Sequence, residues 1–324
     1  MPEATQHPGH NHLSQVKLLW QLEGDIRFVR RVENFVYESK IAGRPVILRL
    51  TEPKHRSADE IFAELAWMDY LAKSGMRVAA PIESNHGHFV ETVQVNEIYH
   101  ACVFEKAPGA PLNEREEFSA ATLDTWGRYV GQMHRLTKKY RPAPTAPKRK
   151  PWNNDTSLAV SMRGLDVSDS LAYNRFHELM NWLLTLEQDC ESYGLVHCDM
   201  HQGNFFVHQG EITAFDFDDS CYHWFAYDLI SPLYPLLGYS HDLGLNFTRE
   251  GLLEPYLRGY LAENALDEKW LARLDLFFKV RVVMVYHWIK ASMVEGVFNE
   301  KGLEWCRRRL PWSLNLLREP LSFK

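Results

Sequence analysis

The sequence has no Cys-x-x-Cys pair, no apolar N-terminal leader, no excess of positive charge and no apolar run long enough to cross a bilayer. Its five cysteines, Cys102, Cys190, Cys198, Cys221 and Cys306, are odd in number and scattered. That argues against a disulfide framework and against a structural zinc site, and a reducing cytoplasm is the expected home. The N-terminal stretch MPEATQHPGHNHLSQ is polar where a signal peptide needs an apolar core. With 36 basic against 42 acidic residues the net charge is −6, so the molecule as a whole does not attract nucleic acid. Neither a membrane nor a nucleic acid is expected as a partner. No internal repeat is present, and oligomeric state is not legible.

What is present is enough apolar material, 45% of 324 residues, for more core than one domain usually holds. Residues 1–14, with His7, His10 and His12, read as a flexible arm. Residues 15–106 read as β-rich. Ile26, Phe28 and Val29 lie in a first strand and Phe35 to Tyr37 in a second. After a turn at Ala42-Gly43, Val46 to Leu50 make the third. Ser57 and Glu60 have the spacing of a capping box, and Ile61, Leu65, Met68 and Ala72 repeat as one helix face ending near Gly75. Glu64 lies beside that apolar stripe, where a carboxylate must be paired or flank a cleft. Further strands are expected near His88–Val93 and Glu97–Phe104, and Glu105–Gly109 breaks the pattern as a hinge. From 107 to 324 the pattern turns helical, with Leu123, Trp126, Val130 and Met133 on one face and another helix from about Leu171 to Ser192. A basic, proline-rich stretch at 141–152 reads as a solvated loop. The order is a small antiparallel β-rich lobe followed by a larger helical one, an α+β fold.

The chemistry concentrates in GLVHCDMHQGNFFVHQGEITAFDFDDS, residues 194–220. Phe205–Val207 and Ile212–Phe215 can pair as a hairpin, so Asp199, Asn204 and Asp216 come from a loop, the start of one strand and the end of the next. That gathers oxygen-bearing side chains of the kind Mg²⁺ prefers, with one aspartate left over as a base. Phosphoryl transfer needs that equipment: charge neutralisation, positioning and a proton acceptor.

The His197-x-Asp199-x-x-x-x-Asn204 spacing, followed by Asp216 in AFDFDD, resembles the aminoglycoside phosphotransferase and choline kinase family. That group includes homoserine-kinase-like and stress-response-kinase-like members. NFVYE at 34–38, VILRL at 46–50, the Glu64 helix, VFEKAPG and YDLI at 227–230 extend the resemblance over about two thirds of the chain. It implies a two-lobed protein-kinase-like fold, with nucleotide bound by the lobe at 15–106 and catalysis and acceptor binding in the lobe at 107–324. It implies Asp199 as catalytic base, His197 as a residue orienting the loop, and Asn204 and Asp216 as Mg²⁺ ligands. Arg49 would contact phosphates and be held by Glu64, with Asn34 among the nucleotide contacts. The backbone from Phe104 to Lys106 would meet the adenine edge, and Asp228 would brace the catalytic loop. The implied cofactors are Mg²⁺ and ATP, with GTP left open, and the implied reaction moves the γ-phosphoryl group to a hydroxyl of a small amino acid, amino alcohol, sugar or aminoglycoside. A Ser/Thr protein acceptor and a non-catalytic nucleotide-binding scaffold are the alternatives.

Two departures stand out. Arginine replaces the usual lysine at 49, and the 29–34 loop VRRVEN has no glycine to let backbone amides approach phosphate. Arg30 and Arg31 are the candidates to compensate with charge. Asp218 and Asp219 read either as metal supports or as solvent-facing. Cys198 reads as a packing residue, because no basic partner is assigned to it. His197, Asp199 and His201, with His223 and Asp228, also admit a metallohydrolase reading, which leaves Asn204 and the Arg49–Glu64 pair without a role.

Overall fold

The computed structural model describes residues 8–112, 118–243 and 247–323. Strands β1 (Glu23–Arg31), β2 (Phe35–Ile41) and β3 (Arg44–Thr51) form the expected meander, and β4 (Pro81–Ile82), β5 (Glu91–Gln94) and β6 (Ile98–Glu105) complete the sheet. The strand order is β1-β2-β3-β6-β4, with β5 also on β6, and every pairing is antiparallel. Alternation along β3 sends Val46, Leu48 and Leu50 into a core with Phe35, Tyr37 and Val103. Ile47 and Arg49 therefore belong to the opposite face.

A helix, α1 (His10–Trp20), corrects the flexible arm expected over residues 1–14 from its tenth residue on. His12, Val16 and Trp20 repeat every four residues and are buried, Val16 and Trp20 within the sheet's core. His12 Nε2 also bonds Glu97 O at 2.9 Å. His7 lies outside the described residues. Helix α2 (Ala58–Lys73) starts at the expected capping box: Glu60 N donates to Ser57 Oγ and Ser57 N to Glu60 Oε2. It buries Ile61, Leu65 and Met68.

The remaining helices are α3 (Ala120–Thr137), α4 (Thr156–Arg163), α5 (Ser170–Leu184), α6 (Phe225–Ile230), α7 (Leu233–Leu243), α8 (Arg249–Glu263), α9 (Glu268–Leu271), α10 (Leu274–Val294) and α11 (Glu300–Arg318). Between α5 and α6 lie β7 (Tyr193–Val196), the hairpin β8 (Phe205–His208) and β9 (Glu211–Ala214), and β10 (Cys221–Trp224), which pairs with β7. Helix α5 stops at Leu184, short of the expected Ser192, because Asp189 Oδ1 captures the amides of Glu191 and Ser192 in a turn of their own. Among the described residues no helix is long and apolar enough to cross a membrane.

The chain divides into two compact units. One joins everything up to Gly109 with Tyr140–Arg149 and Thr213–Asp218; the other comprises Ala110–Lys139, Lys150–Ile212 and the chain from Asp219 onward. The break after β6 falls at Gly109, whose φ is +91°. The two extra segments of the first unit were expected in the second. The reason is visible in Arg149, expected in a solvated loop but 3% exposed, which donates to Glu60 O and Asp218 O.

In the second unit α3 and α8 cross at glycine. A Cβ on Gly127 would lie 1.9 Å from Tyr256 O, and one on Gly259 would lie 2.0 Å from Asp124 O. Gly127→Ala is therefore expected to cost about 3 kcal/mol, the upper end of overpacking penalties. A urea-denaturation midpoint equal to wild type would show that the helices do not approach this closely.

Candidate functional site

In the second unit, His197, Asp199 and Asn204 converge on the loop between β7 and β8. Asn204 Nδ2 donates to Asp199 O at 2.9 Å and to Asp199 Oδ2 at 3.2 Å. Both partners are oxygens, which fixes the amide's orientation and turns Asn204 Oδ1 away from Asp199. His201 Nε2 lies 3.3 Å from Asp199 Oδ2, and the amide of Asp199 donates to His197 Nδ1 at 3.3 Å. His197 is fully buried, so it shapes the loop from beneath.

One participant carries no motif. Arg281, on α10, donates through Nη2 to Asp199 Oδ1 at 2.5 Å and through Nη1 to Cys198 O at 3.4 Å. Burial works to raise the Asp199 pKa, but His201 and Arg281 outweigh it and hold the carboxyl well below its usual range. Asp199 is thus a carboxylate at neutral pH, a hydrogen-bond acceptor of low basicity. Arg281→Met should move the acid limb of a kcat–pH profile upward and lower kcat by up to about 100-fold through misplacement of the carboxylate. A profile unmoved on its acid side would limit Arg281 to packing.

The loop is braced as expected by Asp228 on α6. Its Oδ1 accepts from Cys198 N at 2.7 Å, and its Oδ2 accepts from His197 N at 3.3 Å and His134 Nε2 at 2.9 Å. His134 Nδ1 meets Tyr260 OH at 2.9 Å, and Tyr260 OH accepts from Asn264 Nδ2 at 2.7 Å. This buried relay holds Cys198 at φ +66°, an uncommon conformation for a non-glycine residue. The Cys198 and Cys221 sulfurs are 3.2 Å apart, and burial pushes the Cys198 thiol well up, consistent with an inert packing residue.

In the first unit, Arg49 and Glu64 form a two-pronged pair, Nη1 to Oε1 and Nη2 to Oε2, each 2.8 Å. Both side chains are buried, and the guanidinium lies 5.2 Å from the Phe104 ring centroid. Of the five guanidinium N–H groups, two are used on Glu64, and Nε has no protein partner among the described residues. Those N–H groups suit a phosphate oxygen. Asn34, expected among the nucleotide contacts, is a bridge: it accepts from Thr51 Oγ1 at 2.7 Å and donates to Asp218 Oδ2 at 3.2 Å. The amides of Glu105 and Lys106 are paired with Ala80 O at 2.9 Å and Pro45 O at 3.4 Å. The Lys106 ammonium sits on Glu38 at 2.5 Å, apart from Arg49 and Glu64.

Asp216 adopts φ +64° and accepts from Arg30 Nη2 at 2.8 Å. The glycine-free loop thus delivers a cation to this carboxylate, while its neighbour Arg31 turns to Glu52 and the Phe35 ring. Asp218, two residues on, is 3% exposed and bonded by His55 at 2.6 Å, with Arg56 Nε at 3.6 Å. Burial would raise its pKa, but the His55 hydrogen bond with Arg49 and Arg56 nearby drives it far below the carboxylate range. The solvent-facing reading of Asp218 is therefore corrected. Asp219 belongs to the second unit and accepts from Ser157 Oγ at 3.2 Å.

Beside Asp199 the second unit holds a cavity whose walls include Trp152, Asp155, Asp219, Tyr227 and Arg281. Ser157 ties its two acidic residues together, giving its amide to Asp155 and its hydroxyl to Asp219. The metallohydrolase grouping does not assemble. His223 stacks on Tyr227 at 4.0 Å, accepts from Trp224 N, and is pushed down to about 3 by burial, while Asp228 is consumed by the loop amides. Among the described residues, the groups able to converge on a metal through His or carboxylate atoms do not include His197, Asp199 and His201.

Known proteins resemble this chain in sequence and in fold. A family profile described as "Phosphotransferase enzyme family" matches residues 25–274. Amicoumacin kinase of Bacillus subtilis (strain 168) is 37% identical over 267 residues, spanning 81% of this chain and 78% of that protein. The solved structure of an amicoumacin kinase in complex with AMP-PNP, Ca²⁺ and Ami superposes with a TM-score of 0.85 at 30% identity, covering 98% of this chain and 96% of that one. A microcompartment-associated aminopropanol kinase shares the fold at 20% identity, with a TM-score of 0.73 and coverage of 93% and 95%. With the HxDxxxxN loop assembled and the α+β order intact, the kinase-like fold expected from the sequence is the fold of this protein, and the chain belongs to the phosphotransferase enzyme family.

Proposed function

We propose that this enzyme transfers the γ-phosphoryl group of ATP to a hydroxyl of a small molecule that also bears a cationic amine, with Asp199 as the proton acceptor. The observation carrying the proposal is the hold on Asp199: Asn204 and Arg281 grip its carboxylate while Asp228 clamps the two amides before it. An acceptor held this firmly presents one oxygen to a hydroxyl in a fixed direction, which is the positioning that phosphoryl transfer asks of a protein. Its low basicity suits a loose transition state, in which the proton leaves late.

Asn204 Oδ1 in the second unit and the Asp216 carboxylate in the first are each a proposed oxygen ligand for Mg²⁺. The ion supplies charge neutralisation for the phosphates when bound. Arg49, oriented by Glu64, offers its remaining N–H groups to the nucleotide phosphates, and Arg30 stands in for the absent glycine loop with charge. The backbone carbonyls of Phe104 to Lys106 are the proposed adenine contacts, since two of the amides there are already paired. The ammonium end of the acceptor is placed at the cavity beside Asp199, whose volume of about 50 Å³ takes a group of that size and no larger part of the molecule. There Asp155 and Asp219 supply negative charge and Trp152 and Tyr227 aromatic walls, a combination that suits an ammonium group. Amicoumacin, named in the relative at 37% identity, is the first acceptor to try.

The experiment measures Mg-ATP consumption with amicoumacin, a series of amino alcohols and aminoglycosides, and neutral polyols, each against Asp199→Asn. Mutant-sensitive turnover in the amine-bearing set supports the proposal. Turnover confined to neutral polyols, or to a protein substrate, would overturn it.

A further inference from the structure

The loop between β4 and β5, with the first residue of β5, carries a ligand set that phosphotransfer does not use. His86 Nδ1 and His88 Nδ1 both approach a single oxygen, Glu91 Oε1, at 3.1 and 3.4 Å. All three ligand atoms lie within 4.8 Å of one another. For a tetrahedral ion with bonds of roughly 2.0–2.1 Å to nitrogen and oxygen, neighbouring donors sit about 3.3 Å apart. Two of the three edges therefore already have the length such an ion requires.

The arrangement is held from below. Ser84, 6% exposed, accepts the amides of His86 at 3.1 Å and His88 at 3.4 Å, and its hydroxyl donates to Glu91 Oε1 at 2.5 Å. One hydroxyl thus sets both histidine backbones and the carboxylate, the kind of outer support that metal ligands have. Gly87, at φ +76°, makes the tight turn that brings the two imidazoles to one side. The loop is anchored to the end of α1, with Asn85 N on Leu19 O at 2.8 Å and Asn85 Nδ2 on Leu18 O at 3.0 Å. The imidazole side chains are 60% and 64% exposed, so an ion enters from solvent with water completing its shell.

We propose that His86, His88 and Glu91 bind one divalent transition-metal ion of the zinc type. Two imidazoles and a carboxylate suit Zn²⁺, Co²⁺ or Ni²⁺ and are a poor set for Mg²⁺. The site is separate from the oxygen-ligand ion proposed for phosphotransfer, and its test does not depend on that activity.

The full-length, tag-free protein, stripped with chelator, is titrated with ZnCl₂ by calorimetry and with CoCl₂ by visible absorption. One equivalent of Zn²⁺ per chain is expected at this site, with Co²⁺ bands of reduced symmetry. His86→Asn and His88→Asn should each weaken Zn²⁺ binding at least about tenfold and abolish the Co²⁺ bands. Asp216→Ala and a His7→Asn/His10→Asn double variant should retain both. Zn²⁺ should raise the melting temperature of wild type but not of His86→Asn. Undiminished Zn²⁺ affinity and Co²⁺ bands in the His86 and His88 variants would overturn the proposal, as would loss of the ion only in the N-terminal or Asp216 variant. An apo cluster held by hydrogen bonds alone would appear as no heat and no bands in wild type.

Discussion

Asp199→Asn is expected to lower kcat by about 1,000-fold while the protein stays folded and still binds nucleotide, a loss typical of removing a positioned proton acceptor. Asparagine keeps the shape of the side chain and can still meet Arg281 with its amide oxygen. It cannot take the proton of an attacking hydroxyl. The variant also leaves Arg281 and His201 facing a neutral group where the wild type has a carboxylate, so some loss of melting temperature should accompany the loss of rate. The nucleotide Kd, measured by calorimetry, should stay near wild type because the Arg49–Glu64 pair is untouched. Wild-type turnover in a folded Asp199→Asn sample would remove Asp199 from the chemistry.

Asp228→Ala is expected to cost about 3–5 kcal/mol of stability, the range for breaking a buried charged cluster. The substitution strands the amides of His197 and Cys198 and the imidazole of His134, all inside the protein. Denaturant midpoint and kcat should fall together, since the loop those amides belong to is the one that presents Asp199. The pH dependence has a definite sign. Burial alone would raise the Asp228 pKa, but the hydrogen bond and charge of His134 outweigh it, and the folded value lies below the ordinary 3.8. A depressed carboxylate contributes its full stabilisation above the unfolded value and loses it as pH falls through the folded one. Wild type and Asp228→Ala should therefore differ by a constant amount from neutrality down to about pH 4 and converge only below it. A gap that closes near neutrality would mean that the Asp228 carboxylate does not set the stability of the relay.

The residues that sequence revealed are those whose partners lie close along the chain. His197, Asp199 and Asn204 fall within one loop, and the capping box spans four residues, so spacing alone exposes both. Arg49 was legible because strand alternation separates it from Leu48 and Leu50, and Glu64 because a carboxylate beside an apolar helix stripe needs a partner. Arg281 was not legible. It sits in the apolar run VRVVMVYHW, 82 residues from Asp199, and looks there like a charge that a core helix turns outward. Asp218 hid for the same reason, since His55 and Asn34 precede it by 163 and 184 residues. For α1 the signal was present in His12, Val16 and Trp20, but a polar, histidine-rich terminus masked a stripe only three residues long. A two-residue strand such as β4 offers no period to detect.

The make-up of the first unit has a consequence for how the protein is born. Its Arg56 is 1% exposed and lies against Asp218, and its Asn34 and His55 close on the same carboxylate. On the ribosome, the first 109 residues emerge long before that aspartate does. Until residue 218 clears the exit tunnel, the nascent first unit lacks the carboxylate on which Asn34 and His55 close and which lies against the buried Arg56. Translation of this chain therefore keeps its N-terminal portion provisional until about two thirds of the polypeptide has been made, and a stall within that interval would present chaperones and proteases with an unfinished β-sheet.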